Sequence, residues 1–288
     1  MLSKETSKEF HETFAQLFVH NVHLNGLRAI LYCFGLSASR YVEYTSALIF
    51  LNSELKASSV ILEMGCGHSI LPTLLVKSDL EAVTLDLSRD ALKWQINKSR
   101  ETLNKSLNPV LADGRSLPFK ARSISVISCI STIEHIPDNG DIQAAREIGR
   151  ILERNGLCII SFPLSTRLIS YSKTEWTAEI PHLIKRFSKS FLPMIFKKLK
   201  VDRTLSYFER FYSLKDVHKR IIAPSYCIKE DYLALKSGRF VKFMYERLIP
   251  TGVFTPLEFV MARFLTVGKY TQDIEAVILK IRKLSHAL

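Results

Sequence analysis

The sequence predicts an α/β fold in which a mostly parallel sheet carries helices on both faces. Three observations lead there. Between Ser59 and Pro163 short apolar runs alternate with helical stretches. The runs are mostly apolar and not only at every second residue, as strands covered on both faces are. The first of them, Val60 to Glu63, passes through two glycines one residue apart, Gly65 and Gly67, straight into a helix. In such sheets a ligand sits at the carboxyl ends of the strands.

Taken in order, residues 1 to 55 read as helical, with Phe10, Phe14, Leu17 and Phe18 on one face and a second run ending at Ala47, Leu48, Phe50 and Leu51. Val60 to Glu63 is the first strand, followed by a helix from about Ser69. Ala82 to Asp86 is the second, and Ser88 is placed to cap a helix over Ala91 to Leu103. Pro109 to Ala112 and Ser125 to Ile130 are the third and fourth. After a loop at Asp138 to Gly140 comes a helix over Ile142 to Leu152, which "ERNG" closes with Gly156 in the C-terminal position. Leu157 to Phe162 is the fifth strand. The alternation then stops until a strand pair, Tyr226 to Leu233 and Phe240 to Leu248, joined by "KSG" and followed by a helix near Leu257 to Phe264. This divides the chain into an N-terminal helical extension (1–57), a core (58–165), an insertion (166–224) and a C-terminal strand pair with helices completing the core (225–288).

Composition narrows the classes of function. The 288 residues suit one core domain with additions. The longest window free of both charged residues and histidine, Asn155 to Thr166, is too short to cross a bilayer and contains Pro163. Lys4, Glu5, Lys8, Glu9 and Glu12 stand where a signal peptide needs an apolar run, so a cytoplasmic protein is expected. Five scattered cysteines without a C-x-x-C pair read as reduced thiols, and no metal site is expected. The formal net charge is +12, and much of the excess lies between Pro181 and Arg220, where Asp202, Glu209 and Asp216 are the only acids.

The site chemistry starts at the glycines, which let a ligand approach backbone N–H groups at a positive helix end. A dinucleotide fingerprint, G-x-G-x-x-G, requires glycine at position 70, where this chain has Ile70. That weakens a pyrophosphate reading and a nicotinamide-dependent oxidoreductase with it. One strand later, "AVTLDLS" ends in Asp86, a carboxylate placed to accept from both hydroxyls of a ribose. "LADGRSLPF" puts Asp113 at the next strand end, either to accept from an exocyclic adenine amine or to make an Asp-Gly turn.

These motifs in order resemble a class I S-adenosylmethionine-dependent methyltransferase of the type 11 kind. "ILEMGCGHS" is similar to that family's glycine motif, "VTLDLS" to its ribose acid, and "LADGRSLPF" to its adenine motif. "ISVISCISTIEHIPD" resembles its fourth strand and following loop, and "AAREIGRILERNGLCIISFP" its next helix, turn and strand. The resemblance covers Val60 to Pro163 and implies a Rossmann-like sheet of seven strands, a helical insertion after the fifth, and S-adenosyl-L-methionine as cofactor. It implies that Glu63, Gly65 and Gly67 lie against the methionine part, that Asp86 holds the ribose and that Asp113 and Gly114 border the adenine. Cys66, Ser69, Leu87 and Ser131 complete the implied cofactor set. The chain departs from the family at Ser69, Glu63, Ser125 and "RNG", where glycine, aspartate, aspartate and Pro-Gly-Gly are usual. A sulfonium cation without phosphate suits a pocket ringed by acids.

Methyl transfer is an in-line displacement, so positioning carries most of the catalysis and a base is needed only where the acceptor loses a proton. His135, with Glu134 beside it, is the candidate base; local packing is the alternative for His135 and lining the pocket the alternative for Glu134. Arg40 or Tyr41 could reach the cofactor carboxylate, or Arg40 could be a surface charge on an amphipathic helix. "PHLIKRFSKSFLPMIFKKLK" spaces apolar residues by three and four among basic ones, as a lid or a helix lying on an anionic membrane would. Arg210 and Tyr212 could contact the acceptor, or Arg210 could pair with a local acid. The acceptor expected is a small molecule, lipid-linked compound or glycan ahead of nucleic acid, because no glycine-aromatic RNA motif is present. A non-catalytic S-adenosylmethionine-binding regulator is the alternative from another class.

Overall fold

The computed structural model describes residues 4–25, 38–52, 54–55, 59–77, 81–104, 107–176, 203–237, 265–268 and 276–284. Two helices, α1 (Lys4–Asn25) and α2 (Ala38–Asn52), precede the sheet. They pack through Phe14 against Tyr41, with ring centroids 5.5 Å apart, and Asn21 Nδ2 donates to the Tyr41 hydroxyl at 2.7 Å. Buried His20 meets Thr73 Oγ1 at 3.0 Å, which ties α1 to α3 (Leu71–Lys77). The N-terminal extension is thereby part of the core packing.

The strands follow as β1 (Val60–Met64), β2 (Glu81–Asp86), β3 (Asn108–Leu111), β4 (Ile124–Ile130) and β5 (Leu152–Pro163), with α4 (Arg89–Leu103) after β2 and α5 (Gly140–Ile151) after β4. Ser88 caps α4 as the sequence predicts, its side chain accepting from Ala91 N. The order in the sheet is β3-β2-β1-β4-β5-β10-β8-β9. The pairs β3–β2, β2–β1, β1–β4 and β4–β5 are parallel, whereas β10 (Ala276–Lys283) runs antiparallel between β5 and β8 (Cys227–Ser237). Those are the seven strands expected, and β9 (Leu265–Gly268) adds a short edge. Successive residues of β1 feed two cores. Ile61 packs with α1, α2 and α3, while Leu62 and Met64 pack with Ala144 and Ile148 of α5. Chain direction along the sheet reverses between β1 and β4, which opens a crevice at their carboxyl ends.

One expectation needs correction, and two others fall largely outside the described residues. Gly156 does not end a helix: α5 stops at Ile151, and β5 begins at once with Asn155 left-handed at φ 61°. A lysine replaces the glycine cap, for buried Lys283 Nζ donates to the carbonyls of Gly149 and Leu152 at 2.6 and 2.9 Å. The described flanks of the insertion are not helical but form an antiparallel pair, β6 (Ile169–Trp176) with β7 (Arg203–Phe211), whose β-branched and aromatic content suits strands. The amphipathic stretch 181–200 lies outside the described residues. A helical run does follow β7: Leu214–Val217, a π-helical turn His218–Ile222 and Ala223–Ser225. Lastly, the described partners of β8 are β10 and β9, while 240–248 and 257–264 lie outside the described residues. No helix among the described residues is long and apolar enough to cross a membrane.

Candidate active site

A cavity of about 300 Å³ opens at the carboxyl ends of β1, β2 and β4. Of the residues singled out in the sequence, Gly65, Asp86, Leu87, Asp113, Gly114, Ser131 and His135 line it. Glu63, Cys66, Ser69 and Glu134 are buried and do not line it, and Gly67 supports it from the loop.

The floor is the turn after β1. Gly65 is left-handed at φ 73°, and a Cβ there would lie 2.2 Å from the Thr132 side chain. Gly67 is also left-handed, at φ 46°, but a Cβ would meet nothing within 4 Å, so only its backbone conformation calls for glycine. Asp86 braces this turn. Its Oδ2 accepts from Gly67 N and its Oδ1 from Ser88 N, each at 2.8 Å. A carboxylate has about four acceptor sites, so two remain for ribose hydroxyls.

Sequence reading missed the other brace. Gln95 is fully buried on α4, and its Nε2 lies 3.3, 3.1 and 2.7 Å from the carbonyls of Cys66, Gly67 and Ser69. The available signal was a polar residue on the buried stripe of Ala91, Leu92 and Ser99. Burial pushes the Cys66 thiol up, so it stays protonated and structural.

Asp113 lines the cavity and makes the turn, its carbonyl accepting from Ser116 N at 2.9 Å. Arg115 binds it through Nε and Nη2, at 2.6 Å for the shortest contact, and holds its carboxyl below the usual range. Met64 Cε lies 2.3 Å from where a Cβ of Gly114 would stand.

At the other end the pocket is acidic. Ser131, left-handed at φ 44°, donates to Glu43 of α2 at 3.0 Å, and Glu43 pairs with Arg40 at 3.0 Å. Arg40 is therefore partly buried and faces the site through Glu43 and Glu134. Glu63 Oε2 has no hydrogen-bond partner among the described residues, and burial pushes this carboxyl up to about 8. Burial does the same to Glu134, also to about 8, against the opposing pull of Arg40. His135 is half-exposed on the 3-10 turn Ile133–His135, with Nε2 3.9 Å from Glu134 Oε1. Among the described residues, no group of three His, Cys, Asp or Glu is placed to hold a metal.

Arg210 pairs with an acid, though not a local one. It is buried and pairs at 3.0 Å with Asp141, an acid far away in the chain at the start of α5. Tyr212 is also buried, its hydroxyl donating to Asp141 at 3.1 Å.

Carboxylates at the end of β2 and just past β3, with further carboxyls buried behind the cavity, fit a nucleoside-bearing sulfonium cofactor. Residues 62–160 match the family model described as a methyltransferase domain. An uncharacterised protein of Methanocaldococcus jannaschii is 27% identical over 174 residues, which cover 60% of this chain and 67% of that protein. The ubiquinone biosynthesis O-methyltransferase of Methylococcus capsulatus is 30% identical over 84 residues. That match covers 29% of this chain and spans only 35% of the enzyme. A solved S-adenosylmethionine-dependent methyltransferase from Clostridium acetobutylicum superposes with a TM-score of 0.53 at 12% identity, covering 95% of this chain and 99% of its own. The described core is a class I S-adenosylmethionine-dependent methyltransferase domain. The cofactor of that domain is S-adenosyl-L-methionine.

Proposed function

We propose that the chain moves the methyl group of S-adenosylmethionine to a hydroxyl oxygen of a small-molecule, lipid-linked or glycan acceptor. The observation that carries this reading is His135, half-exposed at the cavity rim with a buried carboxylate, Glu134, 3.9 Å from its Nε2. An alcohol or phenol must lose a proton as it is methylated, and an imidazole held by an acid can take it. The partial match to an O-methyltransferase supports the same choice.

In this reading Asp86 holds the ribose, the Asp113–Gly114 turn borders the adenine, and Arg40 takes the cofactor carboxylate. The bound cofactor supplies a methyl on a sulfonium leaving group. Glu63, Glu134 and Glu43 place negative charge near that cation, and the domain contributes alignment and exclusion of water. The β6–β7 pair borders the acceptor side, and the positive charge of the sequence between its two strands fits a peripheral contact with anionic membrane.

The test is incubation with cofactor labelled on the methyl group and fractionated lipid, glycan and RNA extracts. Label in an ether product of the first two fractions supports the reading; label in RNA alone overturns it. Cofactor binding without transfer to any fraction favours a regulatory binding protein. His135→Ala is expected to lower turnover at least tenfold with cofactor affinity unchanged, a loss in the range of one general base.

A further inference from the structure

The turn that follows His135 is held from outside the core. Asp138 is left-handed at φ 56°, an uncommon state for a residue with a side chain. Its carbonyl accepts from Arg210 Nη2 at 2.6 Å and from Arg220 Nη2 at 3.3 Å. Arg210 Nη1 also reaches the carbonyl of Ile136 at 3.4 Å. The same guanidinium is anchored to Asp141, which is wholly buried and also accepts from Arg220 at 2.7 Å. Arg210 stands on β7 and Arg220 on the helical run after it, whereas the turn belongs to the cofactor side.

What the turn touches decides what the grip does. Ile136 packs across the cavity onto the adenine rim: its Cδ1 lies 3.6 Å from where a Cβ of Gly114 would stand. Gly140 is a glycine because Ile136 Cγ2 and Arg115 Cδ close on it, 2.3 and 2.9 Å from its would-be Cβ. Ile136 and Pro137 both line the cavity.

We propose that Arg210 is a positioning residue, which holds the Ile136–Asp138 turn against the Asp113–Arg115 rim and so fixes the adenine end of the pocket from the acceptor-side insertion. This rests on the assignment of that rim to adenine. A lysine at 210 keeps a charge beside Asp141 but has no planar fork, so it cannot serve that carboxylate and both carbonyls together.

The experiment is calorimetric titration with S-adenosylhomocysteine and with methylthioadenosine, which lacks the amino-acid end. Arg210→Lys is expected to weaken both ligands by the same factor, about tenfold, as loss of a charge-assisted hydrogen bond would. Arg220→Lys, with its longer hold on the same carbonyl, is the variant safer for folding and should give a smaller loss of the same kind. Lys283→Met, at the opposite end of α5, should lower the melting temperature and leave both affinities alone. Folded Arg210→Lys and Arg220→Lys proteins that bind both ligands within twofold of the parent overturn the proposal, as does a loss confined to S-adenosylhomocysteine. A parent protein that binds neither ligand overturns the adenine assignment and the proposal together.

Discussion

The sheet has a cleft at each end of its central strands, and the two are built on opposite principles. The cleft at the starts of β1 and β4 is the larger, about 520 Å³ against about 300 Å³. Its nearby charges cancel locally: Glu54 accepts from Lys280 at 2.6 Å and Arg282 at 3.1 Å, and Glu230 pairs with Arg282. These contacts hold the Glu54 carboxyl below its ordinary range, as expected of a satisfied surface acid. At the carboxyl ends, Glu63 and Glu134 are buried and pushed the other way, and the floor is left-handed backbone. Size does not separate the two clefts; left-handed backbone and deeply buried carboxyls do.

The comparison can be broken first at the floor. Gly65→Ala adds a Cβ 2.2 Å from Thr132 in a left-handed backbone, so the turn must open. S-adenosylhomocysteine binding should fall beyond detection by calorimetry. Gly67→Ala meets no atom and keeps only the conformational cost, roughly 1–2 kcal/mol, readable as a drop in denaturation midpoint. Equal losses from the two would show that the clash is relieved and that backbone conformation alone matters. Next comes Asp86→Ala, which removes the acceptor of two backbone N–H groups as well as the ribose contact. A loss of about 3 kcal/mol in cofactor affinity is expected, near the top of the range for hydrogen bonds to a charged group. Unchanged affinity would remove Asp86 from the ribose site.

Protonation sharpens the contrast further. The folded pKa of both Glu63 and Glu134 lies near 8, above the ordinary 4.5. Between those values the folded protein retains protons that the unfolded chain releases, so ligand-free stability falls as pH rises and levels off above 8. A sulfonium cation favours the ionised acids and must displace protons below that point. Affinity for S-adenosylmethionine should therefore climb with pH up to about 8, and affinity for neutral-sulfur S-adenosylhomocysteine should climb less. Calorimetry of both ligands across that range checks it, and identical slopes would show that these acids do not sense the sulfonium. Glu134→Gln should flatten the difference.

The legibility of the molecule follows the same divide. The parallel core was readable because its strands are mostly apolar and acids mark where two of them stop, Asp86 ending β2 and Asp113 standing two residues past β3. Gln95 was not, since a glutamine within a helix looks like a solvated one until the buried stripe is traced around it. β10 was missed because "AVIL" followed by alternating Ile281, Arg282 and Lys283 suits helix and strand alike. Arg210 was expected beside a local acid, but its partner is 69 positions away at Asp141, a distance that periodicity does not carry.

Glu54→Gln is the smallest effect and tests the other cleft. Glu54 is partly exposed, at 29% of its side chain, and Glu230 remains to pair with Lys280 and Arg282 after its charge is removed. Ion pairs this open to water contribute about 0–1 kcal/mol, and a neutral glutamine can still accept from either cation. The midpoint of urea unfolding should move by that little, with the loss greatest at low salt because screening already weakens the pair. Cofactor affinity should not move at all, for the cluster sits at the amino ends of the strands whose carboxyl ends form the site. A shift in S-adenosylhomocysteine affinity would mean that the paired cleft is coupled to the strained one through β1 and β4, and the division of labour between the two ends of the sheet would fail.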